Sequence, residues 1–508
     1  MYLSMTMATA AALSLGLSLS LGAQQTPPSP QSEVFSESID VRVVNVEAVV
    51  TSRNGERVRG LTAGDFRLLV DGREVPVDYF AEVAEGAAVT ASGAGAPVTK
   101  GEEVGRNYLV FIDDSIAIQS QRDDLLKQVK LDLNLLRPAD RMAVLAFDGL
   151  HIAVLSPWTS DAAALAAALD RARQRPARGL VAKVHQLAPE SEVTLIEDSA
   201  ATLDDGDGKG PGIVTAALDA LNSRPASPDA FSDAHKAADG AASALRAFEA
   251  PPGRKVMLLV SGAWTLQSAP RFYGPLLGAA NRLGYSVYPV DAAQSYVYAI
   301  KSADVLARLT GGAAVTDFDN HVFRAVVRDT GTYYWLGFTP SWKANDQSHR
   351  VTVEVRRPGL TVRSRHGFSD LSKRAESALK TEGVLLFGGA AQERRLFVKL
   401  GAPRRQGREL DVPVTLGVPF EVLALTPQAK GYLAEVPLAM ASMDEQGGRS
   451  DLRVRLRVAL PTLPRAGNYV RFQTVVHLRN VGQRLVFTAS EPASGGTVWG
   501  EVNLKRGK

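Results

Sequence analysis

Tyr108-Leu109-Val110-Phe111-Ile112, followed at once by Asp113-Asp114-Ser115-Ile116-Ala117, is the stretch that decides the fold. Five consecutive apolar residues leave no polar face, which is the pattern of a parallel strand covered on both sides. The period then changes. Residues 119–136 carry Leu125, Leu126, Val129, Leu133 and Leu136 at helical spacing, and Arg137-Pro138 ends the run. The buried-strand pattern returns at 142–147, 255–260 and 286–290, with 152–155 extending the sheet, and helices are expected at 161–173, 234–248 and 275–283. Strands alternating with helices predict an α/β fold with a doubly wound, mostly parallel sheet.

Upstream, residues 40–51 alternate apolar and polar, Asn54-Gly55 and Asp71-Gly72 mark tight turns, and 66–70 and 75–80 read as further strands. This predicts a small N-terminal β module over 34–84. Residues 85–104, rich in Gly, Ala and Thr, read as a linker. Residues 174–233 scatter Pro, Asp, Gly and Ser and read as an insertion with one helix at 214–221. Downstream of Gly331, strands are expected at 332–338, 349–355 and 360–365, so the α/β domain with its trailing strands spans 105–368. A helical or linking segment follows at 371–380. Strands at 396–400, 409–412, 452–458 and 469–478 then predict a sandwich-like C-terminal β domain over 383–508.

The chain has 508 residues, 45% hydrophobic and 22% charged, enough for several cores. Lys plus Arg number 57 against 54 Asp plus Glu, and no basic run stands out, so a nucleic-acid groove is not expected. The absence of cysteine excludes disulfides, thiol nucleophiles and cysteine zinc sites. Residues 8–23 form an apolar run too short to span a bilayer, with Ser20, Gly22 and Ala23 offering a cleavage site before Gln24. Residues 1–23 therefore read as a signal peptide of a secreted or periplasmic protein with no transmembrane segment after its removal. The alternative is a buried N-terminal helix. Met1 to Met7 lack Lys and Arg, which leaves the true start codon open.

Four stretches together carry a family resemblance. They are Asn54-Gly55 through Gly60-Leu61-Thr62 to Asp71-Gly72; Tyr108 to Ser115 with Leu136-Arg137-Pro138-Ala139-Asp140-Arg141; Pro252-Gly253-Arg254-Lys255 to Ser261-Gly262; and Tyr333 to Pro340 with Val353 to Arg363. In that order they resemble the VWFA-related domain proteins of the acidobacterial type, which contain a von Willebrand factor A-like domain. The resemblance covers residues 40–368 and implies an exported protein that binds protein partners.

It also implies a metal-ion-dependent adhesion site at the carboxyl end of the first strand, Asp-x-Ser-x-Ser in the family. Here Asp113 and Ser115 are present and Ala117 replaces the second Ser. Thr215 matches the family's threonine element, and Ser261-Gly262 stands where an acidic Asp-Gly is usual. Two readings of Asp113 and Ser115 stand: a degenerate site for Mg²⁺ or another divalent cation with Thr215, or side chains that cap the following helix. No cofactor is otherwise implied.

Other motifs are weaker. Asp204-Asp205-Gly206-Asp207-Gly208 lacks the Glu a calcium loop needs and reads as a solvated turn. Ser261 sits at a strand end as a hydrolase nucleophile would, but Leu259 breaks Gly-x-Ser-x-Gly. No two of the seven His residues have zinc spacing on a clear helix. Tyr333, Tyr334, Trp335 and Phe338 read as core or as a partner-facing stripe. The carboxyl-end edge gathers Asp113, Asp114, Ser115, Asp148, Ser261, Gly262, Trp264 and Asp291, and Asp114, Ser261 and Trp264 are the expected partner contacts. Arg137, Arg141 and Arg254 are candidate internal counter-charges. The expectation is a non-enzymatic adhesion or scaffold protein with an unidentified protein partner. A Mg-dependent adhesion receptor and a serine hydrolase are the competing classes.

Overall fold

The computed structural model describes residues 43–93, 98–179, 228–262, 273–292, 297–315, 321–342, 345–387, 395–407, 409–444, 448–463, 465, 467–490 and 497–505. The expected signal peptide, the helix at 214–221, Thr215, Trp264 and the Asp204 turn lie outside the described residues. The chain is mixed α/β with more strand than helix, arranged in several sheets. No helix among the described residues is long and apolar enough to cross a membrane.

The central sheet runs in the order Tyr285–Asp291, Arg254–Ser261, Arg106–Asp113, Arg141–Phe147, Ile152–Thr159. Its first three pairings are parallel and the last antiparallel. Alternate residues of one strand feed opposite cores, which is why the apolar run has no polar face. Leu109 and Phe111 pack with Leu245, Leu276 and Leu306 of the helices Pro228–Ala247, Gly274–Leu283 and Val297–Leu309. Tyr108, Val110 and Ile112 pack with Leu126, Leu169 and Phe323 of the helices Gln119–Leu131, Ala162–Arg173 and Val322–Asp329. Asp161 caps its helix by accepting from the backbone N–H of Ala163 and Ala164, at 2.9 and 3.2 Å.

The strands before and after the central sheet combine. Val44–Ser52 lies between Thr332–Phe338 and Leu360–Ser364, and the strand Tyr79–Ala84 continues the same antiparallel sheet to Ala87–Gly93. A second sheet joins Phe66–Val70 to Ser348–Val355, and Val46, Phe66, Leu68, Tyr334, Leu336 and Val351 share one core between the two sheets. The stretch 85–104, expected to be a linker, therefore contributes a strand and separates no cores. Tyr333, Tyr334, Trp335 and Phe338 are buried, so they serve packing.

The C-terminal region forms two further sheets. One contains Glu409–Pro419 paired with Tyr469–Arg479, and the other contains Gly431–Asp444 paired with Arg449–Leu460 and Gln483–Ser490. They share a core that includes Val412, Leu416, Val436, Phe472 and Phe487. The helix Lys373–Phe387, longer than the expected segment, ties this region to the central one. Glu382 accepts from Arg246 at 3.1 Å and from Arg449 at 3.0 Å.

Candidate functional site

Asp113 and Ser261 end the two neighbouring strands Arg106–Asp113 and Arg254–Ser261, at which the sheet order switches from one side to the other. That position is where open α/β sheets leave a crevice. The side chains do not leave it empty. Asp113 is fully buried, and its Oδ1 accepts from the backbone N–H and the hydroxyl of Ser115, while its Oδ2 accepts from the Ser261 hydroxyl at 2.7 Å. Burial pushes its pKa up to about 6, against the downward pull of the Ser115 and Ser261 hydrogen bonds. The helix that follows is capped at Ile118 with no side-chain hydrogen bond, so Asp113 and Ser115 do not act as its caps.

Asp114 turns inward. Its Oδ1 accepts from Arg122 Nη1 at 2.6 Å and its Oδ2 from Arg175 Nε at 2.7 Å. Arg122 is fully buried and also donates to Asp123 and to the Arg175 carbonyl, the latter at 2.8 Å. The expectation that Asp114 faces a partner is corrected, because both its oxygens are occupied by guanidinium groups. The internal counter-charges are Arg122 and Arg175. Arg137, Arg141 and Arg254 sit at the opposite, amino-end edge. There Arg137 and Arg106 clasp Asp140, and the Arg141 guanidinium donates to the Pro138 carbonyl at 2.6 Å. Arg254 stacks over Tyr333 at 4.2 Å.

The start of the expected insertion straps over this loop. Arg178 N–H donates to the Asp114 carbonyl at 2.7 Å, and Gly179 N–H to the Ala117 carbonyl at 3.0 Å. A Cβ at Gly179 would sit 2.0 Å from the Ile116 carbonyl oxygen, so the approach needs glycine. Ser261 is buried, while Ser115 and Asp148 are partly exposed. Asp148 Oδ1 accepts from the N–H groups of Leu150 and His151 at 2.9 and 2.7 Å, fixing a turn that leaves Leu150 51% exposed.

The described residues do not fit a divalent cation. Both oxygens of Asp113 are engaged by Ser115 and Ser261, Asp114 is paired with two arginines, and Ala117 contributes only a buried methyl. Mg²⁺ needs about six hard oxygens, with acidic ligands to offset its hydration. No group of three His, Cys, Asp or Glu side chains among the described residues could hold a metal. The Ser261 hydroxyl donates to the buried carboxylate of Asp113.

No family model matches the chain, and no curated protein matches it. Among solved structures, the N-terminal domain of TFIIH p34 is similar at 13% identity and a TM-score of 0.22, covering 44% of this chain and 95% of that one. The pilus adhesin SpaC from Lactobacillus rhamnosus GG is similar at 6% identity and a TM-score of 0.20, covering 86% of this chain and 60% of that one. Likenesses at these scores carry no argument about this chain's fold or role.

Proposed function

We propose that this chain is an exported, non-enzymatic protein-binding molecule, built on a doubly wound von Willebrand factor A-like domain, whose partner face is the carboxyl-end edge of the parallel sheet. The observation that carries the reading is that all four carboxylate oxygens of Asp113 and Asp114 are engaged by protein donors at the strand-order switch. Such an arrangement stiffens a platform at the strand ends. The rim above it is accessible through Ser115, Asp148 and the exposed Leu150, a small apolar contact within a polar border as interfaces use. Trp264 follows the same strand end and is the proposed aromatic anchor.

Paired capture from an envelope fraction tests this reading, with the intact chain and Leu150→Asp as baits. A protein held by the first and lost by the second supports it. The same proteins held equally by both contradict it.

A further inference from the structure

The two C-terminal sheets are joined along one side and free along the other. On the joined side the Leu396 N–H donates to the Trp499 carbonyl at 3.1 Å, which links the start of Phe397–Leu400 to Thr497–Leu504. On the other side Arg449–Leu460 and Tyr469–Arg479 each pair with one strand, Gly431–Asp444 and Glu409–Pro419 respectively, and no described strand pairs with their outer edges. Arg449–Leu460 is 12 residues long, keeps one register against its neighbour throughout and contains neither Pro nor Gly. So long and regular an edge presents a row of unpaired backbone N–H and C=O groups, a template for one more strand.

The side chains say which strand would fit. Those of Arg449–Leu460 alternate between the core and the outer face. Toward the core Leu456 is buried, but Val454, Val458 and Leu460 are only partly covered and Leu452 is 36% exposed. Apolar side chains added at this edge would extend the cover. The outer face carries Asp451, Arg453, Arg455 and Arg457, all exposed. Asp451 lies 3.9 Å from Arg453. Glu435 of the neighbouring strand takes the Nε of Arg455 at 3.0 Å and the Nε of Arg457 at 2.8 Å. One carboxylate thus serves two guanidiniums through Nε alone, and their terminal nitrogens make no hydrogen bond among the described residues. Such forks fit carboxylates. A second copy of this strand does not suit, because antiparallel pairing on the same face sets arginine opposite arginine.

We propose that the free edge of Arg449–Leu460 accepts, as an added strand, an extended segment of a partner protein that alternates acidic and apolar residues. Its backbone continues the ladder, its carboxylates two residues apart meet Arg455 and Arg457, and its apolar residues lie beside Val454 and Val458. The site uses no residue of the proposed partner face, so either can fail without the other.

Fluorescence anisotropy on the intact chain tests it, with a short labelled Glu-Val repeat peptide as the probe. The controls are a Lys-Val repeat, a peptide of the same composition with its Glu residues grouped at one end, and two versions of the probe N-methylated at every Glu or at every Val. Saturable binding of the probe is expected, with none of the Lys-Val repeat. Affinity should fall about tenfold or more when Arg455→Gln and Arg457→Gln are combined, a change at two exposed positions that removes both charged forks. At least one N-methylated version should lose binding, because alternate amides of an antiparallel strand donate to its neighbour. Equal affinity for the grouped peptide, or for both methylated versions, would reduce the contact to charge attraction and overturn the added strand. No saturable binding of the probe, or unchanged affinity in the double variant, would overturn the proposal as well.

Discussion

The Ser261 hydroxyl donates to Asp113 Oδ2 across 2.7 Å, and so joins the two strands at which the sheet order switches sides. The contact pairs a buried carboxylate oxygen with a buried hydroxyl.

Removing that donor should be felt in stability. Ser261→Ala leaves a buried carboxylate oxygen unpaired and is expected to cost about 1–3 kcal/mol in urea unfolding. In a double-mutant cycle with Asp113→Asn the two changes should be non-additive by about 1 kcal/mol. Strict additivity would mean that the contact contributes nothing.

Asp113 gives the fold an unusual pH dependence. Its folded pKa of about 6 lies above the ordinary 3.8, so the folded state holds the proton more tightly than the unfolded chain does. The stabilisation from this group is complete below the ordinary carboxylate value and is lost as pH rises through 6, by about 3 kcal/mol at most. The stabilities of wild type and Asp113→Asn should therefore run together near pH 4 and separate toward pH 7, wild type falling relative to the variant. Titration of the Asp113 carboxyl near 4 by NMR would contradict this.

The buried pair beneath behaves as a unit. Arg122→Met strands Asp114 with Arg175 alone and should destabilise by about 3–5 kcal/mol, and adding Asp114→Asn should restore part of the loss. Equal stability of Arg122→Met and wild type would show that the pair contributes little.

Asp140 predicts the opposite pH sign. Burial alone would raise its pKa, but hydrogen bonds from Arg106 and Arg137 outweigh it and hold the carboxyl below its ordinary value. Its stabilisation is present above the ordinary carboxylate range and lost as pH falls through the depressed pKa. Asp140→Ala should therefore cost about 3–5 kcal/mol at neutral pH and proportionately less in acid, measured by denaturant unfolding.

The strands of the central sheet were legible because short apolar runs without alternation recur between stretches of helical spacing. The pairing of Val44–Ser52 with Thr332–Phe338 was not legible, because its partners lie hundreds of residues apart and no local pattern records register. Short helices such as Val322–Asp329 were missed for want of length. Arg122 did leave a signal. It falls on the same helical stripe as Leu125, Leu126 and Val129, so a charged residue on a buried face stood just after two consecutive carboxylates. Arg175 left none, since it belongs to the start of a stretch that reads as irregular.

The most direct test is the affinity for a captured partner, measured for the intact chain, for Trp264→Ala, three residues beyond Ser261 in the sequence, and for Phe397→Ser, an exposed aromatic (61%) of the C-terminal region. The account predicts that Trp264→Ala weakens binding by about 2 kcal/mol or more while Phe397→Ser binds as the intact chain does. Unchanged affinity in Trp264→Ala with loss in Phe397→Ser would place the interface on the C-terminal sheets and contradict the account.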